Sequence, residues 1–176
     1  MLLRQIGLDF EIEPSGVEEP LPEWIPAEVL SERLAMEKAK LVASQRSSGL
    51  VVGADTIVVL DGTVLGKPAS VREAEDMLRQ LSGREHQVIT GVAVVDATTG
   101  RSRSDHVSTA VRFANLDDRT IARYVASGEP VDKAGAYAIQ GLGALLVESI
   151  SGCYSNVVGL PLRRLVELLR EFGYQP

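Results

Sequence analysis

The strongest candidate for chemistry lies in the segment Gly53-Ala54-Asp55-Thr56, where two small residues precede an acid between two apolar runs. A carboxylate at such a position is costly if it is buried without a partner. Small neighbours also let a ligand approach the backbone closely. Asp55 is therefore a candidate metal ligand or general base on a rigid element. The equally weighted alternative is a structural aspartate that is capped or paired at a strand bend.

Three lysines are candidates for binding a phosphate oxygen. Lys38 lies in a helical pattern, Lys67 follows a hairpin signal, and Lys133 lies in the loop Pro130–Gly135. An ammonium group binds a phosphate oxygen as a compact point charge. Taken singly, each of these lysines is more often a solvated surface residue, so their types alone do not assign a site.

Gln140 lies in the Gly- and Ala-rich segment Asp132–Gly143. Its amide both donates and accepts hydrogen bonds, which suits recognition of the edge of a nucleobase. The equally weighted alternative is a hydrogen bond from this side chain to the backbone of its own loop. The sequence contains no G-x-x-x-x-G-K-[ST] motif, so it does not support a P-loop. The glycines of this segment are interpreted as turn residues.

Other polar residues leave a functional and a structural role open. Arg84 and His86 follow a predicted helix end, and they either belong to a site or fix the helix-to-strand turn. Glu18 and Glu19 either act at a metal or a water molecule or form a solvated pair. Cys153 is the single cysteine and cannot form an internal disulfide, so it is interpreted as a small, partly buried side chain.

Composition limits the class of protein. The 176 residues include 45% hydrophobic and 24% charged residues, which is typical of a globular chain, and we expect one domain over residues 1–176. The net charge of −6 argues against a general nucleic-acid binder. No apolar run has the roughly 18 residues of a membrane span, and the first residues do not resemble a signal peptide. We therefore expect a cytoplasmic protein that binds neither nucleic acid nor membrane.

Hydrophobic periodicity and turn residues predict the elements that position these candidates. Because helices alternate with strands and some strand pairs are hairpins, the pattern predicts an α/β fold, with a mixed twisted sheet and flanking helices. Four helices are predicted. The first runs from about Pro26 or Ala27 to Ser44, and the second begins at the capping pattern Ser70–Glu73 and ends at Gly83. The third runs from about Asp117 to Ser127, and the last begins at Pro161. The predicted strands are Leu50–Val52, Ile57–Leu60, Thr63–Leu65 after the turn Asp61-Gly62, His86–Val95, Asp105–Phe113 and Ala144–Ile150.

Six segments, in order through nearly the whole chain, together resemble the Maf family. Three blocks within them are individually specific: GADT at Asp55, LSGR-x-H ending at His86, and DKAGAY-x-IQG around Gln140. The six segments are Phe10–Glu19, Arg33–Lys40, Val51–Pro68, Met77–Val95, Tyr124–Gly152 and Asn156–Leu162. The resemblance implies a Maf/ITPase-like fold with two lobes around a deep cleft. It also implies metal-dependent hydrolysis of nucleoside triphosphates to the monophosphate and pyrophosphate.

The resemblance also implies catalytic roles for four residues. In that family the aspartate matching Asp55 is assigned as the proton acceptor. The residues matching Lys38, Lys67 and Glu19 belong to the site. Asp55 and Glu19 would hold a divalent cation, Mg²⁺ or Mn²⁺, and the two lysines would bind phosphate oxygens and stabilise charge in the transition state.

Substrate selection is implied for two further positions. The residues matching Thr56 and Gln140 help select the base, and their combination resembles the branch that prefers dTTP and UTP, with modified pyrimidine nucleotides as further substrates. Arg84 and Lys133 remain candidates for phosphate binding or structural support. The expected partners are the nucleoside triphosphate and a second copy of the chain in a homodimer.

The chain departs from the family pattern at its start. The family begins with a strand and a Ser-x-Ser-Pro-Arg-Arg motif, and this chain has no such motif; Met1–Gly7 resembles the end of the helix that follows it. We therefore expect an N-terminal truncation relative to the family, through a start codon assigned too late or a truly short protein. In the second case, the alternative to an enzyme is a non-catalytic nucleotide-binding or division-regulating protein.

Overall fold

The computed structural model describes residues 2–17 and 25–175. Glu18 and Glu19 lie outside these residues. The α-helices are α1 (Leu2–Gln5), α2 (Ala27–Ala43), α3 (Val71–Leu81), α4 (Asp118–Val125), α5 (Tyr154–Val158) and α6 (Leu162–Glu171). The strands are β1 (Leu50–Leu60), β2 (Thr63–Leu65), β3 (Glu85–Asp96), β4 (Ser102–Phe113) and β5 (Val147–Ser151). Three 3-10 helices span Glu129–Asp132, Ala134–Ala136 and Gly141–Leu145. None of the described helices combines the length and the apolar character that crossing a bilayer requires.

The strands form one five-stranded sheet in the order β2-β1-β3-β4-β5. The predicted α/β class, with helices flanking a sheet, is confirmed. The sequence predicted a mixed sheet with some parallel strands, whereas the sheet is antiparallel. The β1–β2 hairpin turns at Asp61 and Gly62, which have φ values of 49° and 80°. Positive φ at both central residues is what a tight hairpin turn demands.

Strand β1 corrects one expectation. The sequence predicted two strands, Leu50–Val52 and Ile57–Leu60, with Asp55 at a bend between them, but β1 is continuous from Leu50 to Leu60. Gly53 serves helix packing, since a Cβ there would lie 2.2 Å from the carbonyl oxygen of Ala35 and 3.0 Å from the Cβ of Ala39. Because Gly53 lets α2 lie this close to the strand, helix packing accounts for this glycine without a ligand.

The segment after α4 also differs from the prediction. Asp117 caps α4, its side chain accepting a hydrogen bond from the Thr120 amide at 2.7 Å. The following Gly- and Ala-rich stretch folds into the three 3-10 helices, and the strand predicted from Ala144 begins at Val147. The strand starts late because the backbone up to Leu145 is held in the last of these 3-10 helices.

The chain forms two compact units, each with its own core. Unit 1 comprises Met1–Asp55, Thr90–Val107 and Gly159–Pro176, and unit 2 comprises Thr56–Ile89 and Ser108–Val158. The unit 1 core contains Leu8, Val92, Val94, Leu165, Leu168 and Leu169, with the α2 alanines forming a second cluster. The unit 2 core includes Leu78, Leu81, Val88, Phe113, Ile121 and Tyr137. The assignment of residues 1–176 to a single domain stays a prediction.

Candidate active site

Asp55 and Lys38 form an ion pair in unit 1. The Lys38 Nζ donates to Asp55 Oδ1 at 2.6 Å, and the side chains of Asp55 and Lys38 are only 7% and 19% exposed. Asp55 lies two residues after Gly53 on β1, so both point to the same face of the strand. Lys38 precedes Ala39, the α2 residue that packs against Gly53. The close approach of helix to strand therefore brings these two predicted site residues together.

The pairing makes physical sense of a charge at this depth. A buried carboxylate is stable only when a cation and hydrogen bonds compensate its lost hydration. The structural reading of Asp55 as a paired residue and the functional reading as a base or metal ligand are thus both compatible with the geometry. A carboxylate held on a strand by a helix-borne lysine is a fixed acceptor for a proton.

Lys38 also lines a cavity of about 610 Å³ in unit 1. Arg46 lies on the same cavity and forms ion pairs with Glu13 and Glu11; its Nε donates to Glu13 Oε2 at 2.9 Å. Sequence reasoning missed Arg46, because it follows α2 in a short polar stretch that matches no motif. Its position on the cavity adds a second cation to the unit 1 candidates.

Lys67 and Lys133 come together in unit 2. The Gly135 amide donates to the Gly66 carbonyl at 3.0 Å, which ties the Lys133 loop to the residue before Lys67. Asp132 forms an ion pair with Lys133. The hydrogen bond from Lys133, together with the positive charges of Lys133 and Lys67, lowers the pKa of the Asp132 carboxyl. Lys67 and Lys133, two of the predicted phosphate-binding cations, therefore belong to neighbouring loops of unit 2.

Gln140 and Thr56, the predicted specificity residues, also belong to unit 2. Gln140 is exposed and immediately precedes the 3-10 helix Gly141–Leu145. Thr56 is half-buried on β1, and because successive strand residues face opposite sides, it points away from the face that bears Asp55. Their role in base selection stays a prediction.

Arg84 and His86 make structural contacts. Arg84 forms an ion pair with Asp61 in the β1–β2 turn. His86 is 2% exposed, its Nε2 lies 2.7 Å from the Tyr137 hydroxyl, and its ring packs edge-on against Phe113 and Tyr137. Burial lowers the pKa of His86 to about 4, so its imidazole is neutral near pH 7. These contacts favour the structural alternative for both residues, while phosphate support by Arg84 stays a prediction.

Cys153 likewise has a local structural setting. Its amide donates to Thr109 Oγ1 at 3.0 Å, and its Sγ lies 3.2 Å from the Ser155 Oγ. The side chain is half-buried. This agrees with the interpretation of Cys153 as a small packing residue.

Metal ligands were expected at Asp55 and Glu19, and only Asp55 lies in the described part of the chain. Glu32, Asp105 and His106 form a second group, with ligand atoms within 4.8 Å of one another. That group is already compensated, because His106 Nδ1 lies 2.7 Å from Glu32 Oε1 and Arg164 pairs with Asp105. Asp55 offers the hard oxygen ligand that Mg²⁺ and Mn²⁺ prefer.

Known proteins agree with this reading of the chain. The Maf-like protein family matches residues 1–172. A protein of Pelotomaculum thermopropionicum named dTTP/UTP pyrophosphatase is 52% identical over 173 residues, which cover 98% of this chain and 91% of that protein. Proteins of the same name from Desulforamulus reducens and Moorella thermoacetica are 51% and 53% identical, over 99% and 98% of this chain and 91% and 89% of their own lengths. The resemblance inferred from the GADT, LSGR-x-H and DKAGAY-x-IQG blocks is therefore confirmed, and the chain belongs to the Maf-like protein family.

Proposed function

We propose that this chain hydrolyses nucleoside triphosphates, dTTP and UTP in the first place, to the monophosphate and pyrophosphate. The observation that supports it best is the buried Asp55 carboxylate held by Lys38 at 2.6 Å. Relatives with about half of their residues identical over nearly the full chain carry the name dTTP/UTP pyrophosphatase. The name and the carboxylate point to the same reaction class, a hydrolysis of an acid anhydride.

Asp55 acts as the proton acceptor in this proposal. A water molecule attacks the α-phosphorus and its proton passes to the Asp55 carboxylate. A new bond forms between the water oxygen and the α-phosphorus, and the bond from the α-phosphorus to the bridging oxygen of the β-phosphate breaks. Pyrophosphate leaves with the bridging oxygen. Lys38 holds the carboxylate in one orientation in the resting enzyme, because its ammonium group lies against Oδ1.

Cations bind the triphosphate. Lys38 and Lys67 contact phosphate oxygens and stabilise the charge that develops on them, since positioning and electrostatics are most of what phosphoryl-type transfer asks of a protein. Lys133 supports Lys67 from the neighbouring loop. Arg84 acts indirectly, through its ion pair with Asp61 in the β1–β2 turn. Asp132, which forms an ion pair with Lys133, partly compensates the positive charge of this region before the substrate binds.

The donor set at Asp55 fits a hard divalent cation. Mg²⁺ retains several waters and takes the rest of its ligands from substrate phosphates, so one or two protein carboxylates suffice. Asp55 would hold the ion together with Glu19. When bound, Mg²⁺ or Mn²⁺ would neutralise charge on the phosphate oxygens and polarise the α-phosphorus.

Gln140 and Thr56 select the base. The exposed Gln140 amide can accept from N3–H and donate to O4 of uracil or thymine. Cytosine reverses this pattern, because its N3 accepts and its amino group donates, so selection against cytosine requires that the amide be held in one orientation. We also propose that the protein is cytoplasmic and acts as a homodimer. Its single free cysteine supports a reducing compartment.

The test is pyrophosphate release from dTTP, UTP, CTP and GTP, with Mg²⁺ or Mn²⁺ and after chelation with EDTA. We expect release that depends on the metal and is fastest with dTTP or UTP. Binding of dTTP without release would overturn the enzymatic proposal in favour of a nucleotide-binding protein. Release that survives chelation would remove the metal from the proposal, and a preference for GTP would remove the assigned base.

A further inference from the structure

We infer that Glu129 is a positioning residue for base recognition, because its carboxylate fixes the backbone that presents Gln140. This inference rests on the proposed function, in which Gln140 contacts the base. Glu129 is the first residue of the 3-10 helix Glu129–Asp132, which follows α4. It lies eleven positions before Gln140 and belongs to none of the charged groups discussed above. It acts through Gln140 and does not itself touch the substrate.

Glu129 caps the 3-10 helix that follows Gln140. Its Oε1 accepts a hydrogen bond from the Leu142 amide at 3.0 Å, and its Oε2 accepts one from the Gly143 amide at 3.3 Å. These amides are donors at the start of a helical turn, which are usually capped by the side chain of the residue before it. Here that residue is Gln140, and its side chain makes no capping hydrogen bond. Because Glu129 does the capping, the Gln140 amide keeps its donors and acceptor for a ligand.

Tyr124 holds the other side of the same loop. Its hydroxyl accepts a hydrogen bond from the Ala138 amide at 3.1 Å, and the residue is 3% exposed. Gln140 therefore lies between two anchored points of the backbone, Ala138 before it and Leu142 after it. One anchor, Tyr124, belongs to α4, and the other, Glu129, belongs to the 3-10 helix that follows it.

The glycines of the loop are explained by these anchors. Gly141 has a φ of 66°, and a Cβ there would lie 2.6 Å from the Glu129 Oε1. A Cβ at Gly143 would lie 2.0 Å from the Ala138 carbonyl oxygen and 2.9 Å from the Tyr124 hydroxyl. The two glycines thus let the backbone approach Glu129 and Tyr124 directly, which accounts for the Gln-Gly-Leu-Gly sequence without a phosphate loop.

Glu129 is itself held in place. Gly128, with a φ of 79°, directly precedes the 3-10 helix that Glu129 begins, and Pro130, which is buried, fixes the chain direction on the other side. The Glu129 amide donates to Ser127 Oγ at 3.2 Å, and that hydroxyl donates to the Tyr124 carbonyl at 2.6 Å. The carboxylate is therefore presented from a turn with few alternative conformations, as a positioning residue must be.

The experiment compares Glu129→Ala, Glu129→Gln, Gln140→Ala and the double variant Glu129→Ala/Gln140→Ala with the unaltered chain. Glu148→Ala is the matched control, because it removes an exposed glutamate that pairs with Arg112 on the β4–β5 side. Readouts are kcat and KM for UTP and CTP, hydrogen exchange of the peptide covering residues 140–146, and the melting temperature. We expect Glu129→Ala to lower the UTP-over-CTP preference in kcat/KM about tenfold, the size of one charge-assisted hydrogen bond, mainly through the KM for UTP.

Two signatures separate positioning from general stability. Glu129→Gln keeps one carbonyl acceptor and should recover part of the preference, and Glu129→Ala should have no further effect on it once Gln140 is alanine. Exchange at residues 140–146 should rise in Glu129→Ala and stay unchanged in Glu148→Ala. If Gln140→Ala alters the UTP preference and Glu129→Ala does not, the inference about Glu129 is wrong and the proposed function stands. Unchanged hydrogen exchange of residues 140–146 in Glu129→Ala overturns the inference in the same way. Absence of hydrolysis by the unaltered chain overturns the proposed function instead, while the exchange result still decides whether Glu129 holds the loop.

Discussion

The two units hold their candidate residues in different ways. In unit 1, Asp55 and Lys38 belong to a strand and a long helix, are mostly buried, and bind each other at 2.6 Å. In unit 2, Lys67 and Gln140 are exposed residues outside the regular elements, and hydrogen bonds such as those of Glu129 fix the backbone beside Gln140. One region fixes side chains through burial, and the other fixes the backbone and leaves side chains exposed.

This difference matches the two tasks in the proposed reaction. A proton acceptor needs a constant distance and a constant electrostatic environment, which a strand packed under a helix provides. Recognition of phosphates and bases needs side chains that can reach a ligand, which is why binding residues so often lie on loops above a rigid scaffold. If this division is right, substitutions in unit 1 should impair catalysis outright, and those in unit 2 should alter affinity and selectivity.

Asp55→Asn is the strongest way to break the comparison. The amide keeps the size of the side chain and cannot take a proton, so we expect pyrophosphate release to fall about a thousandfold or more, as is typical for loss of a general base. The fold should persist, which circular dichroism checks alongside the activity assay. Activity within about tenfold of the unaltered chain would remove Asp55 from the base role.

The sequence predicted the identity of this site better than its environment. Asp55 and Lys38 were identified through the family resemblance and lie together, but nothing in the residue pattern required their contact. It depends on Gly53 admitting α2 against β1. A Gly-Ala pair before an acid reads equally as a ligand cradle or as a packing site, because local sequence does not show which helix will lie against it.

The segment after α4 was harder to predict for a different reason. The 3-10 helix Gly141–Leu145 has no apolar periodicity. It depends on hydrogen bonds that its amides donate to the Glu129 carboxylate, 13 and 14 residues earlier in the chain. Single-residue propensities therefore favoured a loop and then a strand from Ala144. The hairpin at Asp61 was predictable, because its turn chemistry is contained in two adjacent residues.

Lys38→Met and Lys67→Met sharpen the comparison directly. Removing Lys38 leaves the buried Asp55 without this cation, so we expect a loss on the order of 3 kcal/mol of unfolding free energy together with a loss of activity. Lys67 is exposed, so its removal should raise KM for the triphosphate about tenfold with an unchanged melting temperature. Urea denaturation and steady-state kinetics on both variants measure the contrast. Equal stability of the two variants would show that burial does not distinguish the two cations.

His86 tests whether the core of unit 2 responds to pH. Burial lowers the pKa of His86 in the folded chain to about 4, whereas the unfolded value is about 6.5. As the pH falls between these two values, His86 is protonated in the unfolded chain and stays neutral in the folded chain. The contribution of His86 to stability is complete above about pH 6.5 and is lost through this window, on the order of 3 kcal/mol. In His86→Leu the fall in unfolding free energy between about pH 7 and about pH 4.5 should be smaller by a similar amount. Parallel pH dependence in the two proteins would mean that His86 protonates freely in the folded chain.

Gln140→Glu has the smallest expected effect and tests unit 2 most specifically. The substitution replaces the amide nitrogen, a donor, by a second oxygen acceptor, so contacts to a carbonyl of uracil or thymine are lost and a negative charge faces the base. We expect kcat/KM for UTP and dTTP to fall about tenfold relative to CTP, whose amino group can donate to the new carboxylate. Release from CTP should stay within a fewfold of the unaltered chain, because Asp55 and Lys38 are untouched. A uniform loss on all four triphosphates would assign Gln140 to the fold of its loop, and selection of the base would then have to come from Thr56 or from another part of unit 2.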